Sequence, residues 1–357
     1  MPAINPSQRQ TAVVAAGLGA YAIAHDHPIP SISPDQIIIR TAAVAINPVD
    51  VNTVDNFAYT DTAAGFDLAG IVIAIGSAVD LAVQLREGDR VCAAVQGMNP
   101  LRPTDGAFAQ YVAADADLVM KVPSDMPLEE AASLPVGVGT IGLALRSLGL
   151  DTAGQKPAVV LVYGASSASG TLALQMLRHA GHHAIATCSP ANFNLVKEKG
   201  AEAVFDYRSP TCVADIRGHT RNSLRYVLDC ISETSSMEFC YATIGRAGGL
   251  YTSLAVCSSR VKATRPTVKA DWVFHPALFG REVAWPNPYN RVADPNMRET
   301  ARELYGEAQL LLDQGLLRPH PIEVQEGGFP AILDAIQRVR QKDVSGVKLV
   351  CAIPHQE

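Results

Sequence analysis

The amino-terminal third of the chain alternates short apolar runs with turn residues. "DQIIIRTAAVAI" (35–46) and "LAGIVIAIGSAV" (68–79) are rich in β-branched residues, and "LREGDRVCAAV" (85–95) places Gly88 and Asp89 in a turn before an apolar run. Several short strands separated by turns are typical of an antiparallel sheet that closes on itself. The pattern therefore predicts a mostly antiparallel, barrel-like domain.

The pattern changes near residue 127. "PLEEAASLPVGVGTIGLALRSL" (127–148) is helical, with an interruption at Pro135. From residue 158, apolar strands alternate with helical runs, as in "AVVLVY" (158–163) and "GLYTSL" (249–254). This alternation predicts a parallel sheet with helices on both faces. The expected fold class is therefore α/β, with a doubly wound parallel sheet beside the barrel-like domain.

One turn in the second region has the features of a phosphate-binding turn. In "VVLVYGASSASGTLALQML" (159–177), an apolar strand is followed by small residues and then by an amphipathic run. A dinucleotide site needs free backbone N–H groups at a helix start and small residues that let the phosphates approach. The usual G-x-G-x-x-G spacing corresponds here to Gly164, Ser166 and Ser169. The order of strand, turn, helix and strand predicts a Rossmann-type dinucleotide site, and a domain of this type without a nucleotide is the alternative.

The next strand indicates which nicotinamide cofactor is bound. An NAD site usually has Asp or Glu at the end of this strand to hold the ribose hydroxyls. Here the strand ends at Cys188 and continues as "SPAN" (189–192), without an acid. The missing carboxylate removes a repulsion against a 2′-phosphate, which favours NADPH, although no Arg or Lys stands at the same position.

Composition and charge exclude several classes of protein. The chain has 357 residues, of which 48% are apolar and 18% charged, with a net charge of −6. This charge gives no basic field for nucleic acid and no polybasic membrane patch. No run reaches the roughly 20 apolar residues of a membrane helix. Seven cysteines without a CxxC pair fit a reducing compartment. We expect a cytoplasmic protein that binds neither nucleic acid nor membrane.

The ligands of a zinc dehydrogenase are missing from the chain. Zinc dehydrogenases with this domain order carry a Cys, a Gly-His-Glu and a four-cysteine lobe. In the matching stretch "GFDLAG" (65–70), Phe66 stands where the His would be, and Cys92 has no partners at ligand spacing. We therefore predict a metal-free protein. For hydride transfer, a conjugated alkene activated by a carbonyl or thioester is then the expected acceptor.

A family resemblance extends over nearly the whole chain. The stretches "AINPVD", "GFDLAG", "LREGDRV", "GAFAQYV", "LPVGVGT" and "FDYR" resemble, in this order, the zinc-free, quinone-reductase-like medium-chain dehydrogenases/reductases. "ATCSPANFNLVKEKGAEAVFDYR", "LRYVLDC", "IGRAGGLYTSL" and "WPNPY" resemble the trans-acting enoyl reductases of fungal polyketide synthases. The resemblance implies a GroES-like catalytic domain formed by 1–155 with 291–357, and an NADP-binding Rossmann domain at 156–290.

The resemblance also implies an activity and a partner. The expected reaction is the NADPH-dependent transfer of a hydride to the β-carbon of an α,β-unsaturated acyl thioester, in secondary-metabolite biosynthesis. The substrate would be carried by the acyl carrier domain of a partner polyketide synthase. The resemblance further implies that the protein is a monomer.

The resemblance assigns site residues position by position. The implied cofactor contacts are Val49, Asp50, Val51, Asn52, Thr140, Ser166, Ser167, Ala168, Ser169, Ser189, Pro190, Ala191, Asn192, Tyr207, Leu254, Ala255, Val347 and Lys348. The implied acyl pocket consists of Phe274, His275, Pro276, Ala277 and Leu278.

The candidate catalytic residues are Asn52, Thr140 and His275. Thr140, Asn52 or a backbone amide would donate a hydrogen bond to the thioester oxygen as negative charge develops there. Asn52 replaces a lysine that is usual in the family, and an amide cannot deliver a proton as an ammonium can. His275 stands where a small residue is expected. It could donate the proton to the α-carbon near neutral pH, as could water or Tyr59, or it could be purely structural.

Three alternative functions stay open at this point. A redox-neutral isomerase or cyclase on the same scaffold would form product without consuming NADPH. A quinone or enone reductase would act on free small molecules. An NADPH-sensing binding protein would bind the cofactor without turnover.

Overall fold

The structure is a computed structural model that describes residues 8–79, 84–150 and 156–354. The chain divides into unit 1, Met1–Val136 with Pro276–Gly315 and Pro321–Glu357, and unit 2, Gly137–His275 with Leu316–His320. These boundaries differ from the predicted ones. The predicted boundary after residue 155 adjoins a segment, 151–155, that lies outside the described residues. The catalytic and NADP-binding roles of the two parts stay predictions.

Fifteen strands and ten helices are found in the described ranges. The strands are β1 (Arg9–Gly17), β2 (Ala20–Pro28), β3 (Gln36–Ala45), β4 (Asp67–Ile75), β5 (Arg90–Ala94), β6 (Tyr111–Asp115), β7 (Met120–Lys121), β8 (Val159–Tyr163), β9 (His183–Cys188), β10 (Ala201–Asp206), β11 (Tyr226–Asp229), β12 (Gly249–Ser253), β13 (Val268–Trp272), β14 (Ile322–Gln325) and β15 (Lys348–Ala352). The helices are α1 (Pro48–Asn56), α2 (Leu128–Ala131), α3 (Pro135–Ser147), α4 (Ala168–His179), α5 (Phe193–Glu198), α6 (Cys212–His219), α7 (Thr234–Thr243), α8 (Ser259–Thr264), α9 (Pro295–Asp313) and α10 (Phe329–Arg340).

Unit 1 is built on a seven-stranded, mostly antiparallel sheet. The strand order is β14-β15-β3-β4-β5-β7, β6 also pairs with β3, and only the β14–β15 pair is parallel. Apolar residues of β3 and β4, such as Ile37, Ile39 and Val72, form one core with Ile332 and Ile336 of α10. The two residues of α10 are four apart and therefore lie on one face of that helix. The antiparallel domain predicted from the alternating pattern is confirmed.

Unit 2 contains the predicted doubly wound sheet. Its six strands are all parallel, in the order β10-β9-β8-β11-β12-β13. Strands such as β8 and β9 are nearly continuous apolar runs because helices cover both faces of such a sheet. From β8 the chain builds outward to β10 and then returns to place β11 on the other side of β8. This reversal is the Rossmann topology, which confirms the predicted α/β class.

Pro135 begins a helix instead of only interrupting one. Its ring fixes φ and needs no N–H partner in a first turn, so α3 starts at this residue. Among the described residues, only the stretch Leu128–Ser147 is long and apolar enough to cross a membrane. Within its apolar 18-residue core, 78% is buried inside the protein. This burial is typical of a core helix.

Unit 1 also contains a small cavity of about 10 Å³, and the carboxyl groups of Asp105 and Asp115 lie in its wall. Burial raises the pKa of Asp105 to about 6, although Arg102 and Arg281 oppose the shift. Burial acts in the same direction on Asp115, but the guanidinium groups of Arg281 and Arg298 hold the pKa of that carboxyl below its usual value. The two carboxylates should therefore affect stability in opposite ways as the pH changes.

We expect Asp105→Asn to flatten the decline in stability between pH 4 and pH 7. The folded protein holds a proton on Asp105 that the unfolded chain releases at lower pH, so ionisation costs folding about 2–3 kcal/mol as the pH rises through 6. Asp115→Asn should act in the opposite sense and at lower pH, because the stabilisation that it removes is lost only as the pH falls below about 4. Urea denaturation of the wild type and both variants between about pH 2.5 and pH 7 measures both effects. Equal pH slopes for the wild type and D105N would contradict the assignment.

Candidate active site

The candidate site in unit 2 lies at the carboxyl edge of the parallel sheet. The order in which strands are added to the sheet reverses between β8 and β11, and in such sheets a ligand binds in the crevice at this reversal. The structure brings four of the predicted cofactor segments to this edge. They are Ser166–Ser169 after β8, Ser189–Asn192 after β9, Tyr207 after β10, and Leu254 with Ala255 after β12.

The turn after β8 leaves two amides of α4 free. Gly164 has a φ of +71°, and a Cβ atom there would lie 2.5 Å from Cγ1 of Ile231. Ser167 caps the helix, its Oγ accepting from the Gly170 N–H at 3.1 Å. Within the described ranges, the N–H groups of Ala168 and Ser169 have no protein acceptor. Free N–H groups at a helix start bind phosphate, so these residues fit a dinucleotide.

Opposite this turn, a buried carboxylate shapes the loop after β11. Asp229 is fully buried. Its Oδ1 accepts the N–H groups of Ile231 and Ser232, both at 2.9 Å, and its Oδ2 accepts the hydroxyls of Ser236 at 2.6 Å and Tyr251 at 2.8 Å. Burial raises the pKa of Asp229, and these four hydrogen bonds oppose the shift. The conformation of the loop after β11 therefore depends on the Asp229 side chain.

The same loop is joined to the end of β12. Ser232 has a φ of +63°, a left-handed conformation that serine rarely adopts. Its hydroxyl donates to the Asp229 carbonyl at 3.0 Å and accepts the Leu254 N–H at 2.8 Å. Sequence reasoning missed Asp229, although an acid directly after the apolar run of "YVLDC" was the available signal.

A cation that sequence reasoning also missed lies beside Tyr207. The Arg208 Nε donates to the Tyr207 hydroxyl at 3.2 Å, and its guanidinium carbon lies 5.4 Å from the ring centroid. Tyr207 is 38% exposed and packs edge-on against Tyr163. In the sheet, Asp206 pairs with Cys188, so Arg208 follows the strand next to the one that leads to Ser189–Asn192. A positive charge is therefore present near this loop, but it comes from the neighbouring strand.

The other predicted residues of unit 2 lie on α3 and after β13. Thr140 is half-buried on α3. This helix approaches α4 so closely that a Cβ atom on Gly137 would lie 2.5 Å from Cδ1 of Leu172. Phe274 packs against Trp272 with ring centroids 6.0 Å apart, and His275 is buried.

In unit 1, Val49–Asn52 lie in the first turns of α1. Asp50 is fully buried, and its Oδ2 accepts the backbone N–H of Asn47 at 2.6 Å. Burial raises the pKa of the Asp50 carboxyl. Asn52 is exposed, Val49 is half-buried and Val51 is buried. The Asp50 side chain thus caps its own helix, while that of Asn52 is accessible.

Val347 and Lys348 lie at the start of β15. Val347 is half-buried, and Lys348 is buried with its Nζ donating to Oδ2 of Asp67 at 2.7 Å and to the Ser133 carbonyl at 2.9 Å. Tyr59, considered as a proton donor, donates its hydroxyl to the Ala284 carbonyl at 2.9 Å. The remaining pocket residues, Pro276, Ala277 and Leu278, lie in a short 3-10 helix, His275–Phe279.

The chain matches two family models and has close relatives along its whole length. A model described as an alcohol dehydrogenase GroES-like domain matches residues 33–124, and one described as a zinc-binding dehydrogenase matches residues 168–268. Trans-enoyl reductase FSL5 of Gibberella zeae is 49% identical over 355 residues, covering 98% of this chain and 99% of the relative. Trans-enoyl reductase eqxC of Fusarium heterosporum is 47% identical over 348 residues, covering 96% and 98%.

The chain belongs to the trans-enoyl reductase family. The solved CurK enoyl reductase has the same fold, with a TM-score of 0.73 at 19% identity, covering 97% of this chain and 100% of that structure. The predicted resemblance is confirmed. Enoyl reductases of this superfamily depend on a nicotinamide cofactor, which agrees with the open amides at the start of α4.

The residues of this trans-enoyl reductase do not fit the zinc site that the second family description implies. Phe66 is buried and packs edge-on against Trp285, with centroids 6.0 Å apart. Cys92 is buried inside β5, and burial raises the pKa of its thiol. In the part of the chain that the structure describes, no three His, Cys, Asp or Glu side chains are grouped to hold a metal ion.

Two neighbouring tyrosines test the role of Asp229. Tyr251 and Tyr241 are both buried in the same core, with ring centroids 5.5 Å apart. Tyr251 donates to Asp229, whereas the Tyr241 hydroxyl has no hydrogen-bond partner among the described residues. We expect Tyr251→Phe to lower the free energy of unfolding by about 1.5–3 kcal/mol, since it removes a bond to a charged group. Tyr241→Phe, the matched control, should be neutral or stabilising. Equal losses in urea denaturation would contradict this role.

Proposed function

We propose that this protein is a trans-acting, NADPH-dependent enoyl reductase. It would reduce an α,β-unsaturated acyl thioester that the acyl carrier domain of a partner polyketide synthase presents, in secondary-metabolite biosynthesis. The observation that carries the proposal is the free pair of amides at the start of α4, at the reversal of a Rossmann sheet, in a chain 49% identical to a trans-enoyl reductase. We further propose a cytoplasmic location and a monomeric state.

NADPH, when bound, supplies the hydride that goes to the β-carbon. The N–H groups of Ala168 and Ser169, with the hydroxyl of Ser166, would bind the pyrophosphate. Ser189–Asn192 would bind the 2′-phosphate end, where the guanidinium of Arg208 supplies the charge that this loop lacks. Leu254 and Ala255, which follow β12, would flank the nicotinamide.

Further predicted residues would serve the acyl group and its charge. The accessible amide of Asn52 or the hydroxyl of Thr140 would donate to the thioester oxygen and stabilise the enolate charge. His275 would hold the proton for the α-carbon. Phe274, Pro276, Ala277 and Leu278 would line the acyl pocket, and Val347 would contact the cofactor together with Val49 and Val51.

The reaction is tested with purified protein, NADPH and crotonyl thioesters of pantetheine and of an acyl carrier domain. We expect one NADPH to be oxidised for each alkene reduced, with faster turnover on the carrier-bound substrate. Product formed without NADPH oxidation would instead support a redox-neutral isomerase or cyclase. Faster turnover of free enones or quinones would support a reductase of small molecules. Tight NADPH binding without turnover on any acceptor would support the alternative of an NADPH-sensing binding protein.

Arg208 provides a separate test of the cofactor preference. We expect Arg208→Ala to raise the dissociation constant for NADPH by about 10–100-fold, because a charge-assisted bond to phosphate is lost. The dissociation constant for NADH should stay within about twofold, since NADH has no 2′-phosphate. Arg217→Ala, at an exposed arginine in the last turn of α6, is the control and should change neither. Calorimetric titration of the wild type and both variants with each cofactor measures all six constants, and an equal loss for both cofactors in R208A would refute the role of Arg208.

A further inference from the structure

One fully buried carboxylate in unit 1 receives hydrogen bonds from three distant segments. Asp67 is the first residue of β4 and has no exposed surface. Its Oδ1 accepts the backbone N–H of Val136 at 2.7 Å. Its Oδ2 accepts the side-chain amide of Asn47 at 2.9 Å and the ammonium of Lys348 at 2.7 Å. These residues precede α1, begin α3 and begin β15, so four elements meet at one side chain.

The charges of this cluster are compensated inside the unit. Lys348 is 6% exposed and also donates to the Ser133 carbonyl, so two of its three N–H groups have acceptors. A second buried carboxyl, Asp50, accepts the backbone N–H of Asn47. Two buried carboxyls thus lie near the Lys348 ammonium. Burial, and to a smaller extent the charge of Asp67, raise the pKa of Asp50, whereas the hydrogen bond from the Asn47 N–H and, less strongly, the charge of Lys348 oppose the rise.

The elements held by Asp67 carry part of the proposed site. Asn47 directly precedes α1, whose first turns contain Val49–Asn52. The side chain of Asn47 is bonded to Asp67 and its backbone N–H to Asp50, so both ends of this residue are fixed. The hydrogen bonds of Asn47 to Asp67 and Asp50, in addition to apolar packing, therefore fix the orientation of the amino end of α1.

We propose that Asp67 is a positioning residue of the reductase, which holds the amino end of α1 and the first two residues of α3, Pro135 and Val136, in the arrangement that turnover requires. This inference rests on the proposed function. A purely stabilising role would not need a carboxylate, since a buried ion pair is often replaced by apolar side chains without loss of stability. Only a carboxylate accepts from an amide, an ammonium and a backbone N–H in three directions at once.

The test removes both charges together. Asp67→Asn alone would leave Lys348 buried without its counter-ion, which strongly destabilises proteins, so the informative variant is D67N/K348M. The matched control is E323Q/R338M, which removes an ion pair between β14 and α10 of the same unit, at 2.6 Å, without touching α1 or α3. Thermal unfolding, turnover of crotonyl-pantetheine with NADPH, and amide hydrogen exchange are measured on the full chain.

We expect D67N/K348M to unfold within about 5 °C of the wild type. Its kcat should nevertheless fall by about 10–100-fold, because small displacements of positioning groups are costly. Amide exchange in α1 and at Val136 should become about tenfold faster as the local hold is lost. The control should keep its kcat and the exchange rates of α1. A double variant that keeps the stability of the wild type but loses kcat is the result that a merely structural role of Asp67 does not predict.

Each other outcome also decides the question. Wild-type kcat and wild-type exchange of α1 in D67N/K348M would overturn the proposal. If the wild type reduces no acyl thioester, the proposed function fails on its own, and the exchange rates alone show whether Asp67 holds the two helices. If the double variant does not fold, Asp67→Glu replaces it. This variant keeps the charge but moves the carboxylate by one methylene, and an unchanged kcat in it would overturn the proposal.

Discussion

A buried carboxylate at a strand end must have its oxygens satisfied by hydrogen bonds, and each unit of this protein is organised around one such group. Asp67 at the start of β4 accepts three hydrogen bonds, and Asp229 at the end of β11 accepts four. An unsatisfied buried charge costs several kcal/mol. The surrounding backbone is therefore restricted to conformations that bring the donors to the carboxylate, and the loops that carry the candidate site follow from this restriction.

The turn between β8 and α4, which carries the proposed phosphate site, differs from the hydrogen-bonded clusters around Asp67 and Asp229. The Ser167 hydroxyl accepts one N–H at the start of α4, whereas the N–H groups of Ala168 and Ser169 have no acceptor in the part of the chain that the structure describes. Glycine at position 164 lets the turn pass beside Ile231, in the loop that Asp229 shapes. The loop after β11 and the amides after β8 thus lie against each other. The proposed dinucleotide site depends on these amides, because free N–H groups at a helix start bind phosphate.

The same reasoning changes the meaning of several predicted residues. Lys348 was predicted from the resemblance as a cofactor contact, yet its ammonium is bonded to Asp67 and the Ser133 carbonyl. Asp50 caps α1 with a carboxyl whose pKa is raised by burial. By contrast Arg208, not selected from the sequence, lies on the ring of the predicted contact Tyr207. Residue type and order led to these positions, while the structure shows which protein groups each of them contacts; their contacts with a ligand stay predictions.

The sequence by itself determined the fold class, the family and the turn of small residues between β8 and α4, because these depend on local patterns: strand and helix periodicity, small residues after an apolar strand, and ordered motifs. It also showed that the zinc ligands are missing, since one substitution at Phe66 removes a ligand. Only the tertiary structure decided which groups meet across long sequence distances. Lys348 and Asp67 are joined through sheet order and burial, and Arg208 is placed near Ser189–Asn192 by the pairing of β9 with β10. No local pattern encodes such contacts, because they arise from strands and helices packing together.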